Sequence, residues 1–407
     1  MNFSSKSSFL FAVREYCEQK LAKDVIELDR SDTIPQRVFS DLAALRLFAF
    51  ASLGDTNAVL PPQERTELLF ECLSIIAETS AAVAKAVMDQ NFGQIGIMRE
   101  YGNSTIQGKL EQIRTGAKQA AFLMTEPQSG SDLSQFATTF KWVEGGVVIT
   151  GVKDWITGAA RREFFVTLAK EAETARKFGV FLIDRDITAP NSIRILDRKN
   201  KLGLRGLGEY RVELDSVFVP LKHIIIQPGP GVTRKVMSHY NLKRCGQAAI
   251  AVGTTRSAMR AAYSYLQNRF QHEGGIPFQN TLFAFADLYS RLYAAETLPY
   301  SAAKETMNGD KTGVPASIAK YVCTELAVET TGRLSQLCGG NGLSDKLPLE
   351  RQMRDMRMLT VAGGASEVLK ATIARNLDSL LTSPAVARQS MAHQEVASSK
   401  AKILVTA

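Results

Sequence analysis

Met124-Thr125-Glu126-Pro127-Gln128-Ser129-Gly130-Ser131-Asp132 and, further along, Lys153-Asp154-Trp155-Ile156-Thr157-Gly158-Ala159 decide how this chain is read. The first segment packs a Thr, two Ser, a Gly and a run of backbone amides into one turn. Those are the donors that a carbonyl-rich ring edge or a phosphate requires. The second sets one of only two tryptophans on a strand, with Thr157 two residues later on the same face. An indole beside a hydroxyl suits a flat heteroaromatic ring that carries an acceptor. Each segment alone has an ordinary reading, a surface turn and a core Trp on a hairpin. The pair is what carries weight.

Around these segments the pattern is β-rich. AAFLMT, FKWVEG, VVITGVKDWIT, EFFVTLAK, FGVFLID, SIRILD and YRVELDSVFVP are short runs, several bounded by Gly, Asn, Asp or Pro, as strands of a compact sheet should be. Gly145-Gly146 reads as a hairpin turn, and the region is expected to end near Pro220. Before it, LAALRLFAFASL and TELLFECLSIIAETSAAVAKAVMDQ show helical spacing, with Pro62 suited to the first position of the second helix. After it the helical period returns in VMSHYNLKRCGQAAIAVGTTRSAMRAAYSYLQNRF, FQNTLFAFADLYSRLYAAETLPYSAAKETM and GVPASIAKYVCTELAVETTGRLSQLCGG. The expected organisation is an N-terminal helical domain (1–118), a small β domain (119–228), a C-terminal four-helix domain (229–381) and a loosely ordered polar tail (382–407).

Composition narrows the classes. At 45% hydrophobic and 22% charged the chain has the balance of a soluble globular protein, and no apolar run is long enough to span a bilayer. The N-terminal apolar patch is too short for a signal peptide, so a cytoplasmic location is expected. Five scattered cysteines without a CxxC read as buried small hydrophobes, and four histidines without ligand spacing point away from a metal. Lys and Arg give a net charge of +8 but are dispersed. That weakens a nucleic-acid reading and leaves an acidic carrier protein or a phosphate-rich thioester as fitting partners.

TEPxSGSD followed by KxWITxA resembles the FAD-binding strands of the acyl-CoA dehydrogenase family. LDSVFVP resembles that family's exit from the β domain. Tyr265 and Arg269 with Gln279, Phe283, Ala286 and Asp287 resemble its YxxxR…QxxxFxxAD helix, and QLCGGNG with LERQMRD its QxxGGxGY…ERxxRD stretch. The resemblance implies an α+β fold of helical, β and helical-bundle domains, with non-covalent FAD. It implies Phe122, Met124 and Thr125 along the flavin pyrimidine, Gly130 and Ser131 near the ring and phosphates, Trp155 against the isoalloxazine and Thr157 near N5. Arg269, Gln336 and Gly340 would reach the ADP part of FAD held by a neighbouring subunit, which implies a homodimer or homotetramer. Two stretches depart from the pattern: the residues after Arg269, Phe270–Gly274, and LRGLGEY, which replaces a Ser- or Thr-bearing stretch.

One absence matters more. In this family a Glu removes the substrate's α-proton, a demanding step for a weakly acidic thioester. The usual Y-E-G-T-S-E motif reads Ala362-Gly363-Gly364-Ala365-Ser366-Glu367, which puts Gly363 at the base position. The alternative position, a Glu preceding an Arg on an earlier helix, reads Lys243-Arg244. Glu367 and Asp355 are the substitutes within reach of a shifted alignment. Lys243 is open to three readings: an oxyanion-stabilising cation, a base if burial lowers its pKa, or a surface lysine. The implied activity is FAD-dependent oxidation of an acyl thioester, bound to CoA or a carrier protein, by atypical chemistry in a natural-product setting. An oxygen-using oxidase or monooxygenase and a catalytically silent flavin binder are the alternatives.

Overall fold

A computed structural model describes residues 5–50, 60–174, 177–269 and 279–382. Among the described residues seven α-helices come first: α1 (Lys6–Tyr16), α2 (Ala22–Ser31), α3 (Gln36–Ala44), α4 (Pro62–Thr79), α5 (Ala81–Asp89), α6 (Gln94–Tyr101) and α7 (Ser104–Arg114). Pro62 opens α4 as expected. The single helix read through TELLFECLSIIAETSAAVAKAVMDQ is broken at Ser80, whose backbone is extended and whose hydroxyl accepts the Val83 N–H at 3.3 Å. A serine cap of that kind starts a new helix. The helix expected through LAALRLFAFASL stops at Ala44, because Arg46 and Ala49 take left-handed backbone conformations.

The strands are β1 (Ala120–Leu123), β2 (Thr139–Val143), β3 (Gly146–Thr157), β4 (Phe164–Glu171), β5 (Phe178–Asp184), β6 (Ile193–Arg198), β7 (Glu209–Pro220) and β8 (Ile224–Gly229). They form one mixed sheet in the order β6-β7-β3-β2-β4-β5-β8, with β1 paired parallel to β4. The hairpin between β2 and β3 turns on Glu144 and Gly145, with Val143 opposite Gly146. Strand β8 lies beyond the expected end near Pro220: Ile224 and Ile226 pair with β5. Alternate residues of β4 and β5 face two separate cores. Phe164, Val166 and Leu168 pack with Ile106 and Val236, and Phe165, Phe181 and Ile183 with Val217.

The C-terminal helices are α8 (Val232–Asn268), α9 (Gln279–Ala295), α10 (Leu298–Met307), α11 (Val314–Cys338), α12 (Leu349–Val361), α13 (Ser366–Ala374) and α14 (Leu377–Thr382). The run read as one helix from Phe278 to Met307 divides before Pro299, which sits in the first turn of α10. The polar tail from 383 onward and the altered stretch Phe270–Gly274 lie outside the described residues. Helices from both ends of the chain share one core, in which Leu69, Leu73 and Ile76 of α4 meet Cys245, Ile250 and Ala251 of α8. A Cβ at Gly253 would strike the Ser74 carbonyl, so the close crossing of α4 and α8 requires glycine there. All five cysteines are buried and unpaired.

Candidate active site

The two segments quoted first converge in space. The Asp154 N–H donates to the Thr125 carbonyl at 2.8 Å. Beneath this bond Lys153 Nζ lies 3.0 Å from Glu126 Oε1, with neither side chain exposed. Lys153 also donates to the Leu168 carbonyl at 3.0 Å, and Glu126 accepts the N–H groups of Ala137 and Thr138 at 2.6 and 3.0 Å. Burial pushes the Lys153 ammonium down to about 8. Burial works to raise the Glu126 carboxyl, but Lys153, Thr138 and Ala137 outweigh it and hold the group below the usual carboxylate range. The turn closed by reciprocal bonds between Glu126 and Ser129 leaves Gly130 and Ser131 exposed, with open space where a Gly130 side chain would project.

Trp155 is not a core residue of a hairpin. Its φ is 56°, a conformation unfavourable for a bulky side chain, at an irregularity in the pairing of β3 with β7. The indole is 49% exposed, with Lys199 Nζ 5.8 Å from its ring centroid. A strained backbone that presents an aromatic face to solvent marks a binding surface rather than a packing solution. Two residues on, Thr157 Oγ1 donates to Glu209 Oε1 at 2.9 Å, while Glu209 Oε2 is out of solvent contact and has no hydrogen-bond partner. Burial pushes the Glu209 carboxyl up to about 7 against the opposing pull of Lys85 and Thr157. Phe122 and Met124 are half-buried at the edge of the sheet core, and the Phe122 ring lies 6.0 Å from that of Tyr240 on α8.

One turn beyond Tyr240 come the two residues at the second base position. Lys243 Nζ is 3.0 Å from Asp89 Oδ1, and Lys85 Nζ is 2.6 Å from Asp89 Oδ2; all three side chains are buried. Burial lowers the Lys243 amine, but Asp89 and then Tyr240 outweigh it and hold it above the ordinary lysine value. That direction runs against the base reading of Lys243, which needs a lowered pKa, and burial of the side chain corrects the surface reading. Arg244 donates through Nε to the Gly363 carbonyl at 3.1 Å and through Nη1 to Asn241 at 3.0 Å.

Gly363 lies in the turn after α12 with φ 75°. A Cβ there would collide with Gln247 Oε1 and stand 2.9 Å from its Nε2. Gln247 is fully buried, and neither amide atom has a hydrogen-bond partner. The turn hangs from Lys320, which donates to the carbonyls of Thr360 at 3.0 Å and Gly364 at 2.7 Å. Of the substitute carboxylates, Asp355 is buried and accepts the Leu204 N–H at 2.5 Å, so its role is to hold that loop, and Glu367 is exposed. Neither touches the Gly363 turn in any recorded contact.

Arg269, Gln336 and Gly340 belong to a second cluster where α8 and α11 end. Arg269 lies 6.0 Å over the Tyr265 ring and 3.6 Å from where a Gly339 Cβ would stand, while Gln336 and Gly340 are exposed. The residues missed by sequence reasoning are Lys85, Asp89, Arg162, Glu209 and Gln247. One signal was readable: Lys85 and Asp89 stand four apart on a helix otherwise built of Ala, Val and Met, all of it buried.

An exposed indole and an open glycine turn leave room for a flat ring such as a flavin, on a sheet unit packed between two helical ones. Family models for the acyl-CoA dehydrogenase middle domain and C-terminal domain match residues 121–217 and 233–378. Benzylmalonyl-CoA dehydrogenase of Aromatoleum aromaticum is 30% identical over 372 residues, covering 89% of this chain and 95% of that protein. 3-Sulfinopropanoyl-CoA desulfinase of Paraburkholderia xenovorans is 28% identical over 379 residues, 90% of this chain and 94% of that protein. The structure of glutaryl-CoA dehydrogenase from Mycobacterium smegmatis in complex with FADH2 superposes with a TM-score of 0.82 at 18% identity, over 92% of this chain and 95% of that one. The chain belongs to the acyl-CoA dehydrogenase family. It is an oxidoreductase. Among the described residues no helix is long and apolar enough to cross a membrane, and no cluster of His, Cys, Asp or Glu could hold a metal ion.

Proposed function

We propose that this protein oxidises an acyl thioester, carried on CoA or on a carrier protein, without a carboxylate base at either usual position. FAD supplies the two-electron acceptor. Phe122, Met124, Thr125, Gly130, Ser131, Trp155 and Thr157 are the residues proposed to hold its ring and phosphates. Arg269, Gln336 and Gly340 are proposed to complete the site of a neighbouring copy in a homodimer or homotetramer. The observation that carries the reading is the pair of displaced bases. Gly363 has no side chain and faces the Gln247 amide, and Lys243 is committed to Asp89 as an ammonium. An ordinary α-proton therefore meets no carboxylate at 363 or 243. The relatives named above act, by their names, on thioesters that carry a second acid group, a malonyl carboxylate or a sulfino group. The test is anaerobic reduction of the bound flavin by a panel of acyl thioesters. Reduction by at least one supports the reading, and bleaching by butyryl-CoA at the rate of ordinary family members overturns the atypical part of it.

A further inference from the structure

Five ionisable side chains outside the flavin segments form one cluster, four of them buried and Glu209 half-buried. Lys85 and Asp89 come from α5, Lys243 from α8, Arg162 from the turn before β4 and Glu209 from the start of β7. Each of the first four is less than a tenth exposed. They act on one another's ionisation: Glu209 on Lys85 and Lys243, and Asp89, then Glu163 and Glu209, on Arg162. Lys85, Lys243 and Arg162 thus stand against Asp89 and Glu209, with Glu163 also acting on Arg162. Asp89 accepts a hydrogen bond from Lys85 at 2.6 Å and faces Lys243 at 3.0 Å as an ion pair, its Oδ1 without a hydrogen-bond partner. The Nε and Nη1 of Arg162 are buried without a hydrogen-bond partner. Its guanidinium stands over the Phe39 ring at 5.6 Å.

Burying a guanidinium with unsatisfied donors is strongly unfavourable unless an acceptor completes the arrangement, and an anion does so best. The cluster also adjoins the Gly363 turn. Lys243 and Gln247 lie one helical turn apart on α8, and Gln247 is the residue that touches Gly363. Thr157, proposed beside the flavin ring, bonds directly to Glu209.

We infer that the substrate's acyl group carries a second acid group, a carboxylate or an oxyanion of similar size, and that Lys85, Lys243 and Arg162 form the pocket that receives it. This rests on the acyl-thioester reading above. Guanidinium and ammonium groups bind carboxylates through charge-assisted hydrogen bonds, and a water-excluded site strengthens them. Gln247, with both amide atoms unpaired, offers a donor and an acceptor beside that group.

The test titrates FAD-loaded protein with butyryl-CoA, succinyl-CoA and ethylmalonyl-CoA and follows the flavin absorbance. At least one acid-bearing thioester is expected to bind about tenfold or more tightly than butyryl-CoA. Lys85→Met and Arg162→Leu should each cut that ratio several-fold. The first leaves Asp89 paired with Lys243 and the second removes no side-chain hydrogen bond, so both are expected to fold; flavin content and melting temperature check this. Equal or tighter binding of butyryl-CoA overturns the inference while the thioester reading stands. An acid preference untouched by both variants overturns the assignment of the pocket. If none of the three thioesters perturbs the flavin, the thioester reading itself fails.

Discussion

Lys153 and Glu126 form a solvent-free ion pair at 3.0 Å that fastens the Trp155 strand to the turn bearing Gly130 and Ser131. Removing one partner of such a pair strands a buried charge, typically at about 3–5 kcal/mol. Lys153→Met should therefore lower the melting temperature by several degrees and strip flavin from the purified protein, read as the ratio of absorbance near 450 nm to that at 280 nm. Glu126 adds an acid dependence. Its carboxyl is held low in the folded state, so its contribution is present above the unfolded value and is lost as pH falls through the folded one.

Trp155 separates stability from cofactor binding. Its left-handed backbone suits glycine and costs an L-residue about 1–2 kcal/mol. Trp155→Gly should leave the flavin-free protein melting no lower than wild type, while FAD affinity falls by tenfold or more. Equal FAD affinity, measured by fluorescence quenching, would show that the indole has no part in the site.

Glu209 supplies the pH dependence nearer neutrality. Its folded carboxyl titrates at about 7, above its unfolded value, so the folded state holds a proton that the unfolded chain releases. The stabilisation is complete below the unfolded pKa and is lost as pH rises through 7. The groups that face it are Thr157, Lys85, Asp89, Lys201, Arg162 and Lys243. Glu209→Gln removes this titration. The melting temperature of wild type relative to the variant should fall by a few degrees between pH 5 and pH 8, measured by scanning calorimetry on flavin-free protein.

Restoring a base is harder than sequence alone implies. Gly363→Glu places an L-residue at φ 75° and drives its Cβ into Gln247. The single variant should melt lower and gain no dehydrogenation of butyryl-CoA. Gly363→Glu combined with Gln247→Ala opens the space, and any gain of flavin bleaching by butyryl-CoA should appear only in the pair. Lys243→Glu is a poor alternative, since it sets a second carboxylate against Asp89 and leaves Lys85 as the one lysine between them.

If Gln336 completes a neighbour's cofactor site, Gln336→Glu should lower flavin occupancy without changing helix content, because the side chain is exposed. Light scattering that shows a wild-type monomer with full flavin would contradict the shared site.

The strands legible in the sequence were those with sharp turn signals. Strand β8 was missed because Ile224–Ile226 is too short an apolar run to choose between strand and helix by periodicity. The break at Ser80 is made by one hydroxyl, while the flanking apolar spacing continues through it. Both flavin segments stood out through their composition. The roles of Glu126 and Lys153 within them did not, since a Glu and a Lys 27 positions apart reveal no pairing until the strands are laid side by side. The same holds for Arg162 and Glu209. Charged residues are normally solvated, and only the fold shows that Arg162 is enclosed and Glu209 half-buried.

The contact between Gln247 and the Gly363 turn has an evolutionary side. A lineage that carries both residues cannot regain a carboxylate at 363 by one substitution, because that step is opposed by the backbone conformation and by the occupied volume together. The path back requires Gln247 to change first, at a moment when nothing rewards the change. If Gly363 stands at the base position as proposed, the two adjoining positions act as an epistatic ratchet, and descendants of this protein are expected to diversify their substrates rather than recover a carboxylate there.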